Sequence, residues 1–168
     1  MKPINILKKL ITLYYYLILG VLIFGVISIP ILIFVHPETD LKLFNRQISF
    51  ESLPAYKSLF VVVIIGVLYF VFFKAIQLLK ISLEDLSKGH YFSELVIKNF
   101  NRIGKLFLIC GIGEFFGHII FGLLLNSEFN VEIDSSLVLF IVMSLMFMFL
   151  SEVFEVAKKA KQENNLTI

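Results

Sequence analysis

The stretch Leu106–Leu125, LFLICGIGEFFGHIIFGLLL, limits what this chain can become. It has the length a helix needs to cross the hydrocarbon core of a bilayer, about 20 residues. Glu114 and His118 lie near its middle, four residues apart and therefore on one helical face. A carboxylate in hydrocarbon carries a heavy free-energy penalty unless it is neutralised or paired, so this face must meet other protein. The stretch therefore requires further helices around it.

The rest of the chain can supply them. Apolar residues make up 58% of the 168 residues, mean hydropathy is +0.91, only 17% of residues are charged, and Phe alone occurs 19 times. Soluble domains average roughly 45–50% apolar. Long apolar runs with this composition mark an integral membrane protein in one domain, residues 1–168. A net charge of +2 gives no basis for direct nucleic-acid binding. The only cysteine, Cys110, lies inside an apolar run, which rules out an intrachain disulfide and a Cys-rich metal motif and leaves packing as its role.

Four spans emerge along the chain, at about 10–35, 59–79, 106–125 and 136–157. Ahead of the first lies the basic start MKPINILKK, in which Pro3 suits the first turn of a helix. The first run is too long, and lacks the small-residue cleavage pattern, to be a secretory signal; it reads as a retained span. Tyr14, Tyr15 and Tyr16 near its start read as an interfacial belt, Pro30 as a site for a kink, and His36-Pro37 as its end. In the connection that follows, the partial alternation of LKLFNRQISF admits a short strand pair, and Phe129–Ile133 alternates as well, although the four-helix reading requires neither. After the second span no helix breaker occurs until Gly89, so helix 2 is expected to run past the lipid and stop there. Ser93 can cap the next helix, with Glu84–Lys88 and Glu94–Lys98 as i,i+4 pairs. Spans two and three thus form the upper parts of one long hairpin whose tip lies in water. Asp134 or Ser135 can cap helix 4, in which Glu155 is placed to pair with Lys159.

Orientation follows from the basic residues, which mark the cytoplasmic side. Eleven of the 15 fall on one side of a four-span chain: Lys2, Lys8, Lys9, Lys80, Lys88, Lys98, Arg102, Lys105, Lys158, Lys159 and Lys161. Three, Lys42, Arg46 and Lys57, fall on the other, and Lys74 lies inside a span. The expectation is an all-α, four-transmembrane-helix bundle in a bacterial inner (cytoplasmic) membrane, with both termini cytoplasmic and a long cytoplasmic hairpin between helices 2 and 3.

From about Leu79 onward the chain resembles a bacterial family of small four-span membrane proteins that carry a domain of unknown function. The resemblance rests on Gly89, Phe92, Asn99 and Arg102-Ile103-Gly104 in the hairpin, and on the ending SEVFEVAKKAKQENNLTI, which is the more specific part. It departs at Asn165, where the family usually has an acidic residue. Members often occur beside a small helix-turn-helix regulator. The resemblance implies a four-span architecture and a regulatory link, and it brings no established activity. It makes Gly89, Phe92, Asn99, Arg102, Glu163 and Asn165 candidates for a cytoplasmic partner surface.

Within the lipid the candidate polar site is Glu114, His118, Lys74 and Glu152. A Glu–His pair at i,i+4 can relay protons or bind a cation, or can be a structural polar contact between helices. Two ligands from one helix are too few for a structural metal site, which usually has four. Gly113 and Gly117 form a small-xxx-small pattern that permits close helix approach. Lys74 and Glu152 each lie six residues before a cytoplasmic lysine, about 9 Å deep at 1.5 Å per residue, so they are expected to pair across helices 2 and 4, the alternative being that Lys74 snorkels. The sequence holds no Gly-rich phosphate loop, no H-E-x-x-H and no G-x-S-x-G. These readings lead to a non-enzymatic membrane protein without cofactor, acting in regulation or sensing through a cytoplasmic partner. The alternative is a small transporter or channel that self-associates and uses Glu114 and His118.

Overall fold

The computed structural model describes residues 3–35, 40–43, 46–49, 54–126 and 135–166. Four helices dominate them: α1 (Pro3–Val35), α2 (Ala55–Ser87), α3 (Glu94–Asn126) and α4 (Ser135–Leu166). Each is long and apolar enough to cross a membrane. Between α1 and α2 the alternating segment forms two antiparallel strands, β1 (Asp40–Leu43) and β2 (Arg46–Ser49), with Asp40 opposite Ser49 and Leu43 opposite Arg46. The second alternating segment, 129–133, lies outside the described residues.

The helices exceed the expected spans. Three have 33 residues and α4 has 32, which at 1.5 Å per residue gives about 50 Å against a hydrocarbon core of about 30 Å. The first helix starts at Pro3, the residue that suits a first turn, ahead of the apolar run from Leu10, and α4 continues to Leu166 rather than stopping near Ala157. The segment KKAKQENNL contains neither Gly nor Pro to stop it, and the Glu155–Lys159 ion pair, 3.0 Å, supports its first turn.

The second helix ends where the sequence placed its stop. Its last residue is Ser87, Lys88 caps it, and Gly89 takes φ +90°, the left-handed region that favours glycine. The third helix begins as expected too. Val96 N–H donates to Ser93 Oγ at 3.2 Å and Ile97 N–H to the Ser93 carbonyl at 3.2 Å. The Glu94–Lys98 pair forms at 3.7 Å. Glu84 pairs backward with Lys80 at 3.9 Å, the opposite turn from the one expected.

Packing follows chain order: α1 lies on α2, α2 on α3, and α3 on α4. The first helix is held mainly near its basic end. There Tyr15 stacks on Phe73, with centroids 5.2 Å apart, and the Lys80 ammonium sits over the rings of Tyr15 and Tyr16 at 4.7 and 5.1 Å. Tyr15 is thus a packing residue. The Lys8 ammonium donates to Ser87 Oγ at 3.2 Å. Most of the remaining α1 side chains face outward.

The α3–α4 contact is built on a seven-residue repeat in each helix. Large aromatic side chains recur at Phe100 and Phe107 on α3 and at Phe140, Phe147 and Phe154 on α4. They interlock antiparallel, with Phe100–Phe154, Phe100–Phe147, Phe107–Phe147 and Phe107–Phe140 centroids 5.6 to 6.1 Å apart. Between the aromatic layers lie small residues, Gly104 and Gly111 facing Ser144 and Phe140. A Cβ on Gly104 would come within 2.7 Å of the Ser144 carbonyl oxygen, so only glycine permits this approach. Ser151 Oγ donates to the Ile97 carbonyl at 2.8 Å across the same seam. Alternating large and small layers at heptad spacing let two helices meet closely without a polar core, which suits association where lipid removes the hydrophobic drive.

Candidate functional site

Glu114 and His118 continue this seam. Glu114 follows Phe100 and Phe107 at the same seven-residue step, and His118 follows Gly104 and Gly111. The repeat that places aromatic and small residues against α4 therefore delivers the Glu114 carboxylate to the same interface. Ser136 Oγ of α4 donates to Glu114 Oε1 at 2.8 Å, and His118 is 5% exposed. Glu114 Oε2 is buried and has no hydrogen-bond partner among the described residues.

Beside Glu114 lies a cleft of about 200 Å³ between α2, α3 and α4. Ile65, Leu68, Tyr69 and Phe72 of α2 and Phe140 of α4 form its apolar and aromatic wall, and Cys110 lies on the same wall one turn from Glu114. Among the described residues, Glu114 is the one charged residue lining it. Gly113 faces Leu68 of α2, close enough that a Cβ there would collide with its Cδ2. One half of the sequence's small-xxx-small pattern thus serves the α2–α3 contact.

Lys74 and Glu152 are not brought together, contrary to expectation. Both are exposed, and the Lys74 ammonium donates to Gln77 Oε1 on its own helix at 3.0 Å and lies 5.6 Å from the Phe70 ring centroid. Helical proximity supplies Lys74 with a local partner three residues away, whereas α2 and α4 each pack chiefly on α3.

The candidate partner residues divide. Gly89 and Arg102 are exposed, and Glu163 is exposed on α4. Asn99 is only 7% exposed, and Phe92 is partly buried with its ring edge-on to Phe154 at 5.9 Å. Phe92 thus packs the turn against α4, and Asn99 is buried rather than facing outward. Asn165 lies in the last turn of α4, and its side chain falls outside the described residues. Tyr91 and Leu95, 46% and 44% exposed, are the apolar side chains that stand out beside the turn. Their exposure was not legible from residue type alone.

Asp85 organises the turn between α2 and α3. Its carboxylate accepts from Ser93 Oγ and is 2.9 Å from His90 Nδ1, while its backbone carbonyl accepts from Lys88 N–H at 3.0 Å. The turn lies outside the stretches read as lipid-spanning. The hydrogen bonds from Ser93 and then His90 hold the Asp85 carboxyl below its ordinary range. Further along, Glu94 accepts from the Lys158 ammonium at 3.0 Å, and that bond lowers the Glu94 carboxyl in the same sense. An ion pair thus ties the start of α3 to the final third of α4.

These features define a class: a chain of four membrane-length helices whose α3–α4 seam carries a carboxylate and whose α2–α3 turn is locked by side-chain hydrogen bonds. The chain belongs to the family described as protein of unknown function (DUF2975), which matches residues 43–168. The match takes in all of α2, α3 and α4, a longer stretch than the resemblance from Leu79 suggested, and α1 precedes it. No curated protein and no solved structure matches the chain. Among the described residues, no group of three or more His, Cys, Asp or Glu could hold a metal ion.

Proposed function

We propose that the chain is a non-enzymatic regulatory or sensing protein of the bacterial inner membrane, with both termini cytoplasmic, whose α2–α3 hairpin and α4 end receive a cytoplasmic partner. The supporting observation is the construction of the basic end. Helices of about 50 Å leave about 20 Å beyond the hydrocarbon, and the basic residues assign that excess mainly to one side. There the chain is held by Asp85 with Ser93, Phe92 on Phe154, and Glu94 with Lys158. A protrusion braced at three points presents Tyr91, Leu95 and Arg102 in a fixed arrangement. Exposed aromatic and Arg side chains of this kind are enriched at protein–protein contacts. The partner that the family context favours is a small helix-turn-helix regulator; the chain itself makes no direct contact with nucleic acid.

Photo-crosslinking from position 91 of the full chain in native membranes tests this reading. A crosslink to a soluble helix-turn-helix protein, lost in Arg102→Glu while the chain stays folded, supports it. Crosslinks to lipid or to a second copy alone overturn it. The second reading, a small oligomeric transporter or channel using Glu114 and His118, is favoured by one observation, the cleft that ends at Glu114. Flux unchanged by Glu114→Gln and His118→Ala removes it.

A further inference from the structure

We propose that the cleft beside Glu114 binds a small lipophilic cation, a quaternary or protonated amine, with Glu114 as its counter-ion. The chemistry of the wall sets the ligand. Ile65, Leu68, Tyr69, Phe72 and Phe140 give apolar and aromatic surface, and Glu114 gives the charge. Ser136 satisfies Oε1 only, which leaves Oε2 buried and without a hydrogen-bond partner among the described residues. No Lys or Arg lines the cleft. The nearest lysine along α2, Lys74, is exposed and engaged by Gln77. A buried carboxylate beside aromatic faces attracts an organic cation twice, through its charge and through the ring quadrupoles.

The same residues exclude other ligands. A bare metal ion needs several ligands, and Glu114 is the single carboxylate of the cleft. A hydrated inorganic ion would surrender its water to an apolar wall that offers nothing in return. The volume, about 200 Å³, is below the roughly 300 Å³ at which pockets for drug-sized ligands begin. It holds a headgroup, and an attached alkyl or aryl tail would lie along the apolar flank of the helices. Glu114 lies nine residues from Lys105, about 13 Å along the helix axis, so such a ligand reaches the cleft from the acyl region of the bilayer. This inference needs neither the cytoplasmic partner nor transport, and its test involves neither.

The full chain in phosphatidylcholine nanodiscs is titrated with radiolabelled hexyltrimethylammonium and, separately, with its neutral tert-butyl analogue. The expected result is saturable binding of the cation, unsaturable partitioning of the neutral analogue, and about tenfold or greater weakening in Glu114→Gln, which keeps the size and the Ser136 contact. Glu114→Asp retains the charge and is expected to retain part of the binding. A diazirine-bearing hexylammonium probe on the unmutated chain reports independently of any variant, with labelling expected on the segments around Cys110–Glu114 and Phe140. Equal partitioning of cation and neutral analogue, unchanged binding in Glu114→Gln, or labelling confined to other segments would each overturn the proposal.

Discussion

Replacing Gly104 by Ala adds one methyl group at the closest approach of α3 and α4. The new Cβ would lie 2.7 Å from Met148 Cγ, 2.7 Å from the Ser144 carbonyl oxygen and 3.2 Å from Met148 N. The methionine side chain can swing aside, but the carbonyl belongs to the α4 backbone. Restoring ordinary van der Waals contact moves α4 outward by about 0.7 Å in this layer. The Ser151–Ile97 bond, 2.8 Å, lies two turns away on the same seam and would stretch to about 3.5 Å, past useful hydrogen-bond length. Overpacking costs about 1–3 kcal/mol, and an interhelical hydrogen bond in a membrane protein averages about 0.6 kcal/mol. Against this, Ala is favoured over Gly in a helix by about 1 kcal/mol. Gly66→Ala isolates that gain, because no atom lies within 4 Å of a Cβ there. The propensity gain is common to both variants, so they are expected to differ by about 1.5–3.5 kcal/mol, Gly104→Ala being the less stable. Unfolding in mixed micelles, titrated with a denaturing detergent and followed by circular dichroism, measures the difference. Equal stability for the two variants would refute the close-packed seam.

Gly89→Ala is expected to destabilise the α2–α3 turn by about 1–2 kcal/mol, since an L residue must adopt φ +90° there; faster hydrogen exchange of residues 85–96 would show it. Asp85 has its folded-state pKa depressed, so its bonds to Ser93 and His90 contribute stability that is fully present above the unfolded carboxylate range, near pH 4, and is lost as pH falls through the lower folded value. Thermal unfolding of the unmutated chain should therefore lose stability relative to Asp85→Asn as pH is lowered from 7 to 3, and parallel curves would show that Asp85 contributes nothing. Lys74→Met and Glu152→Gln are expected to be additive in a double-mutant cycle, because the two side chains have no contact to lose; a coupling above about 0.5 kcal/mol would contradict the geometry.

The stop of α2 and the start of α3 were legible because local chemistry decides them. Gly89 and Ser93 act on their own backbone neighbours, and an apolar run of span length has few alternatives in lipid. The strand pair at 40–49 was visible only as an alternating pattern that the helices did not require. The α3–α4 seam was written in the sequence as well, in the seven-residue steps from Phe100 to Glu114 and from Phe140 to Phe154. Hydropathy hides such a period, because lipid-facing positions are as apolar as packed ones. Matching depth was a poor guide for Lys74 and Glu152, since two residues at one height meet only when their faces are turned together, and α2 and α4 each pack chiefly on α3 while both side chains stand exposed. A family resemblance marks Asn99 and Phe92 without saying which way they point: Asn99 is buried, and the Phe92 ring packs on Phe154 of α4.

The hydroxyl that donates to Glu114 Oε1 belongs to Ser136, 22 residues later in the chain. A chain delivered to the bilayer from its N-terminus presents α3, carboxylate included, before that hydroxyl has been made. The translocating machinery must therefore accept a half-finished interface, and α3 can settle in lipid cheaply only once α4 arrives beside it. Insertion of the last two helices is thereby coupled as a single event, and a nascent chain stalled before residue 136 would be the vulnerable species for a membrane protease to recognise.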